Sequence, residues 1–146
     1  MSARARLLAL LDEFARAVGL PALALDEGGV CTLAFDALIV NIAVRECRDE
    51  LVLFAGLGAL APSDHAACEA ALQANHFADD VVLALDVRAG LLVAVSRAPL
   101  EAMQLHEFQR VLARFLEVVE QWRNRPAGGR AEESAGLDGP MLPDFA

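Results

Sequence analysis

No hydrophobic run in this sequence is long enough to cross a bilayer. The longest uninterrupted apolar stretch is Leu51–Ala61, well short of the about 20 residues that a spanning helix needs. No basic segment precedes a hydrophobic one at the amino terminus, where Arg4 and Arg6 open an amphipathic pattern instead. The expectation is an unexported, cytoplasmic protein. Cysteine is scarce, and Cys31, Cys47 and Cys68 form an odd set without tight spacing, which suits reduced thiols in a reducing compartment. Basic charge is scarce as well. Twelve arginines and no lysine stand against 21 acidic residues, giving a net charge of −9. A surface of that sign repels phosphate backbones and anionic lipid, so neither nucleic acid nor membrane is expected as a partner. Tyrosine is absent; neither that nor the all-arginine basic set carries functional weight.

Catalytic constellations are missing too. There is no G-x-S-x-G and no P-loop. His65 and Cys68 lie three apart on one helical pattern, but zinc takes three or four ligands, and His76, His106, Cys31 and Cys47 show no partner spacing. Asp12-Glu13 and Asp79-Asp80 are adjacent acids, which point apart on a helix or strand and read as solvated charge. No catalytic residue, metal or cofactor is expected. One motif argues otherwise: Gly56-Leu57-Gly58 followed by Ala61 outlines a G-x-G-x-x-A dinucleotide turn. A Rossmann unit needs a parallel β-α-β crossover with an acid about 20 residues beyond. Here the glycines follow the third strand of an antiparallel meander, and the next candidate acid, Asp86, comes later than that spacing. They read as a strand-to-helix turn.

What the sequence does hold is apolar surface, 56 % of its residues. Its length suits one domain with a core that needs neither disulfide nor metal. Residues 3–18 place Leu7, Leu11, Phe14 and Val18 on one helical stripe, with Gly19 and Pro21 stopping the helix. VCTLAFD alternates after an Asp26–Gly29 turn, LIVNIAVRE follows, and Arg48–Glu50 turns the chain into LVLFAGL. That third run is apolar on both faces and suits a central strand. Residues 63–77 form a helix made thin by alanine, and 81–97 a hairpin turning at Arg88-Ala89-Gly90, with Val81, Leu83, Leu85 and Val87 inward. A last helix from about Leu100 to Arg125 carries Phe108, Val111, Leu112, Phe115, Val119 and Trp122 on one stripe, and Pro126 ends it. The order α-β-β-β-α-β-β-α, with a mainly antiparallel sheet, is that of an α+β domain over 1–125. The Gly/Pro/Glu-rich remainder, 126–146, reads as a disordered tail.

Alanines at helical spacing let another element approach closely, and strands with apolar residues on both faces need covering. Both features suit a symmetric homodimer.

Leu20-Pro21-Ala22-Leu23 followed by Asp26-Glu27-Gly28-Gly29-Val30-Cys31-Thr32-Leu33 resembles the first-hairpin signature of the class I type III secretion chaperones, the Tir-chaperone family. Leu57-Gly58-Ala59-Leu60, Leu72-Gln73-Ala74-Asn75, Arg97-Ala98-Pro99-Leu100 and the final helix with Phe115 and Trp122 extend the resemblance over about residues 5–124. It implies a homodimeric, ATP-independent bacterial chaperone that binds the non-globular amino-terminal segment of a secreted effector, with the export apparatus as a further partner. By position, Ala67, Ala70, Ala71, Val82 and Ala84 would form the dimer interface. Leu7, Leu11, Phe14, Leu33, Phe35 and Ile39 would supply effector grooves. Little arginine lies near the first strands in sequence, which would serve an acidic segment poorly. Two alternatives stay open: a small nucleotide-binding enzyme using Gly56-x-Gly58, and a structural subunit of a larger assembly.

Overall fold

The computed structural model describes residues 1–61, 63–78 and 80–124; the tail expected over 126–146 lies outside the described residues. Helix α1 spans Ala3–Val18. The Ser2 hydroxyl accepts from the Ala5 N–H at 3.1 Å and so caps its start. Its inner stripe of Leu7, Leu10, Leu11 and Phe14 is buried. Gly19 ends it at φ 75°, where the left-handed conformation lets the Gly19 and Leu20 N–H groups both turn back onto the Ala15 carbonyl.

Strands β1 (Cys31–Phe35), β2 (Leu38–Arg45) and β3 (Glu50–Ala59) follow, then helix α2 (His65–Phe77), strands β4 (Val81–Asp86) and β5 (Leu91–Pro99), and helix α3 (Leu105–Arg123). The strands form one sheet in the order β1-β2-β3-β5-β4, antiparallel throughout. This is the α+β order anticipated from the sequence, and β3, apolar on both faces, is the central strand.

The two faces of the sheet bury different sets of residues, as the two-residue period of a strand requires. On the helical face Cys31, Leu33, Val40, Ile42, Leu51, Leu53, Ala55, Val81, Leu83 and Ala94 pack with α1 and with Phe108, Leu112, Phe115 and Val119 of α3. On the opposite face Val30, Ala43, Val52, Phe54, Leu91, Val93 and Val95 bury one another, with Val82 against them. Asn41 is buried on that face as well. Its amide donates to the Phe54 carbonyl at 3.4 Å and its Oδ1 accepts from the Thr32 hydroxyl at 2.9 Å.

Three sequence expectations are corrected. First, Gly56 and Gly58 do not turn the chain into a helix. They lie within β3, where the register against β5 shifts between them and Gly58 takes φ 118°. That is a bulge at a conformation which L side chains avoid. Second, α3 begins at Leu105 rather than Leu100. Residues Leu100–Met103 form a turn of their own, with the Met103 N–H on the Leu100 carbonyl and Ala102 at φ 60°, and the buried Leu100 is held by its N–H on the Asp49 carbonyl at 2.8 Å. Third, Leu85 and Val87 are not buried. The Asp86 carboxylate accepts from the Arg88 and Ala89 N–H groups, so Val87 belongs to the turn rather than the strand and is exposed; Leu85 shares the face of Val81 and Leu83 but lies at the end of an edge strand, where it is exposed.

Candidate functional site

Among the described residues no group of three or more His, Cys, Asp or Glu side chains is placed to hold a metal ion, and no helix is long and apolar enough to cross a membrane. Cys31 is buried beneath the sheet; desolvation, then the nearby Asp26 carboxylate, raises its thiol pKa above the ordinary value. A nucleophilic thiol needs the reverse. The glycines proposed for a nucleotide are paired within the last part of the β3–β5 ladder, and α2 begins only at His65, so they do not form the tight strand-to-helix turn of a dinucleotide motif.

Of the six positions assigned to effector grooves, Leu7 and Leu11 are fully buried, and Phe14 and Leu33 nearly so. They form the seam between α1, α3 and the sheet. A residue that fills the core of the folded chain lines no open groove, and the first-helix stripe is too regular to reveal this by itself: core face and binding face look alike in a 3.6-residue period. Phe35 is half-buried. Ile39 is 49 % exposed. Both belong to the tip of the β1–β2 hairpin but lie on opposite faces of the sheet: Phe35, paired with Leu38, packs against the main core, and Ile39, paired with Ala34, stands on the other face.

The hairpin tip is built on a two-residue turn, Asp36-Ala37, with Asp36 at φ 54°, the positive value that tight hairpin turns demand. Two arginines from distant parts of the chain arrive at its ends. The Arg123 guanidinium donates to the Ala37 carbonyl at 2.7 Å, and the Arg4 guanidinium lies against Gly29, ahead of β1. The sequence neighbourhood of the first strands held little arginine; the fold supplies it from α1 and α3.

A second apolar region lies at the other side of the sheet. Leu72 and Phe77 of α2 are 71 % and 82 % exposed, and Leu85 and Val87 at the end of β4 are exposed as well. Of the five positions assigned to a dimer interface, Ala84 is exposed and Ala67, Ala70 and Val82 are half-buried. Ala71 instead faces the main core. Sequence reasoning missed Leu72 and Phe77 because alanine spacing marks a face for close approach and says nothing of the large side chains beside it. The signal was there in a helix whose large apolar residues fall off its alanine stripe.

The two regions are joined to the sheet differently at its two edges. β4 is shielded by α2, whose Asn75 side chain engages the backbone of Leu83 with both ends of its amide. Among the described residues no backbone–backbone hydrogen bond outside the ladder reaches β1.

The family model for Tir chaperone protein (CesT) matches residues 9–123. No curated protein matches the chain. Among solved structures the chain is similar to one in the ExsC–ExsE complex, with 26 % identity and a TM-score of 0.72, covering 88 % of this chain and 100 % of that one. It is similar to a chain of the HopA1–SchA chaperone–effector complex, with 26 % identity and a TM-score of 0.70, covering 82 % and 94 %. The type III secretion chaperone SycH of Yersinia pestis, solved with a stable fragment of YscM2, shares the fold at 23 % identity and a TM-score of 0.64, covering 79 % and 98 %.

Proposed function

The chain belongs to the Tir chaperone protein (CesT) family, and on that footing we propose that it is a homodimeric type III secretion chaperone of a bacterial cytoplasm, without catalytic activity. Its client is the non-globular amino-terminal segment of a secreted effector, which it keeps soluble and extended for the export apparatus. The similarity to a chain of a chaperone–effector complex at 26 % identity supports this reading. The observation that carries it is the pairing of a strongly acidic chain with uncovered apolar residues at both sides of one sheet. Small domains rarely leave such residues uncovered unless another polypeptide covers them.

The two regions take different roles in this reading. A second copy covers α2 and β4 through Leu72, Phe77, Val82, Ala84 and Leu85, with Ala67 and Ala70 allowing close approach. The client docks at the β1–β2 hairpin, where Ile39 on one face and the half-buried Phe35 on the other offer apolar contact and where, among the described residues, no strand pairs with the outer edge of β1. Leu7, Leu11, Phe14 and Leu33 hold that surface from beneath. The negative charge keeps the complex soluble.

Co-expression with the product of a neighbouring reading frame tests the proposal. A polypeptide that is insoluble alone is expected to become soluble, with one amino-terminal segment protected from protease. A client that stays insoluble for every neighbouring frame, or a tightly bound folded domain in place of an extended segment, contradicts it.

A further inference from the structure

The face of the sheet opposite the helices, its outer face, is hidden more completely than its own strands can hide it. Val52, Phe54 and Val95 lie in the middle of that face and are 1 %, 2 % and 2 % exposed. Neighbours in a sheet stand beside a side chain, about 4.8 Å away across the ladder, and close its flanks without lying over it. An antiparallel sheet with a bare face leaves that face in water. Only a layer stacked over it, about 10 Å from the sheet, removes a phenylalanine such as Phe54 from solvent. Among the described residues no element supplies that layer. Helices α1 and α3 pack on the other face. Helix α2 buries Ala71 alone, and Ala71 faces the main core. Besides its seven buried members the outer cluster takes in Val82, itself a residue of β4.

These exposures are those of a single chain, so the cover is part of this chain. Outside the described residues lie positions 62 and 79, each too small to roof a sheet, and 125–146. Three properties of that last segment fit the role. The first is reach. The Arg123 guanidinium donates to the Ala37 carbonyl, so the segment starts at the β1–β2 hairpin, and the stretch from Asn124 to Met141 spans at most about 60 Å, against about 20 Å across five strands. The second is composition. Met141-Leu142-Pro143-Asp144-Phe145 brings three large apolar side chains. The third is charge. Arg45, Glu50 and Arg97 stand at one end of the outer face, beside Ala43 and Val52, and leave it one net positive charge. From residue 131 onward the segment carries Glu132, Glu133, Asp138 and Asp144 and no basic residue.

We propose that the outer face is a docking surface whose resting occupant is this chain's own segment Met141–Phe145, laid over Val52, Phe54, Val93 and Val95. Ile39 stands at the margin of the same face, two residues from Asn41 along β2. A client that engages Ile39 therefore competes with the segment for the surface beside it. That corollary alone rests on the chaperone reading; the cover does not.

The test uses the full chain. With p-benzoylphenylalanine in place of Phe145, an equal mixture of isotopically heavy and light chains is irradiated and digested. Crosslinks from position 145 to residues 52–54 or 93–95 are expected, each within one isotopic mass. Crosslinks that join only heavy to light chains make the occupant a second copy's segment and overturn the proposal, as do crosslinks confined to other residues. A second measurement uses Leu142→Asp with Phe145→Asp. This variant is expected to keep its circular dichroism and to raise the fluorescence of an apolar dye such as ANS several-fold, as the outer face opens; unchanged fluorescence overturns the proposal. With the co-expressed client segment, the same variant is expected to bind several-fold more tightly than the original chain. Equal affinity overturns the competition and leaves the cover standing on its crosslinks. If neither chain binds an extended segment the chaperone reading fails, while the crosslinks still decide the cover.

Discussion

Phe14 of α1 meets Phe108 of α3 edge to face, ring centroids 5.4 Å apart and planes at 72°. That contact closes the layer of helices over the sheet, and it decides what the first helix is for. Phe14, Leu7 and Leu11 are spent on the core, so the helix organises the fold and its inner stripe is not available to a client.

Substitutions in that stripe therefore act on stability. Phe14→Ala is expected to cost about 3–5 kcal/mol, and Leu11→Asp, which buries a charge without a partner, to prevent folding altogether. Chemical denaturation with circular dichroism checks both. A Leu11→Asp chain that folds normally and loses only its client would restore the first helix as a groove.

Ile39 behaves in the opposite way. It is exposed at the hairpin tip, so Ile39→Asp is expected to change stability by less than about 1 kcal/mol and to weaken client binding at least tenfold. Titration calorimetry with the client segment, alongside a denaturation curve, separates the two effects.

The second copy is expected on the α2–β4 side. Leu72→Asp with Phe77→Asp is expected to convert dimer to folded monomer, since both side chains are exposed in the single chain and their replacement costs the monomer little. Sedimentation velocity gives the mass directly. A double variant that remains dimeric places the interface elsewhere.

Gly58 separates the structural account of the glycine motif from the nucleotide one. At φ 118° a side chain is strained, so Gly58→Val is expected to cost about 1–3 kcal/mol. It removes no affinity for NAD or ATP, because the original chain is expected to have none. Thermal melting with and without nucleotide reads both; a nucleotide-induced rise in melting temperature would revive the enzyme alternative.

The fold was legible in the sequence and the surfaces were not. Element order and the central place of β3 followed from periodicity, because Leu51–Phe54 is apolar at consecutive positions and only a strand buried on both faces needs that. Which apolar stripe stays uncovered does not follow from periodicity. Leu11 and Ile39 look alike in one dimension, and only the packing of α3 against α1 and the exposure of Ile39 at the hairpin tip tell them apart. Asn75 was visible as a helix residue and nothing more. Its role depends on β4 passing within hydrogen-bonding distance, a meeting that no spacing rule announces. The glycines misled because a bulge inside a strand and a turn after one both call for a residue that tolerates positive φ.

The most direct measurement is amide hydrogen exchange on the purified complex of this chain with its co-expressed client. The account predicts new protection at Thr32 and Ala34 of β1 and along one extended stretch of the client, with Leu83 unchanged. Protection confined to a folded client domain, with Thr32 and Ala34 exchanging as in the free protein, would contradict it.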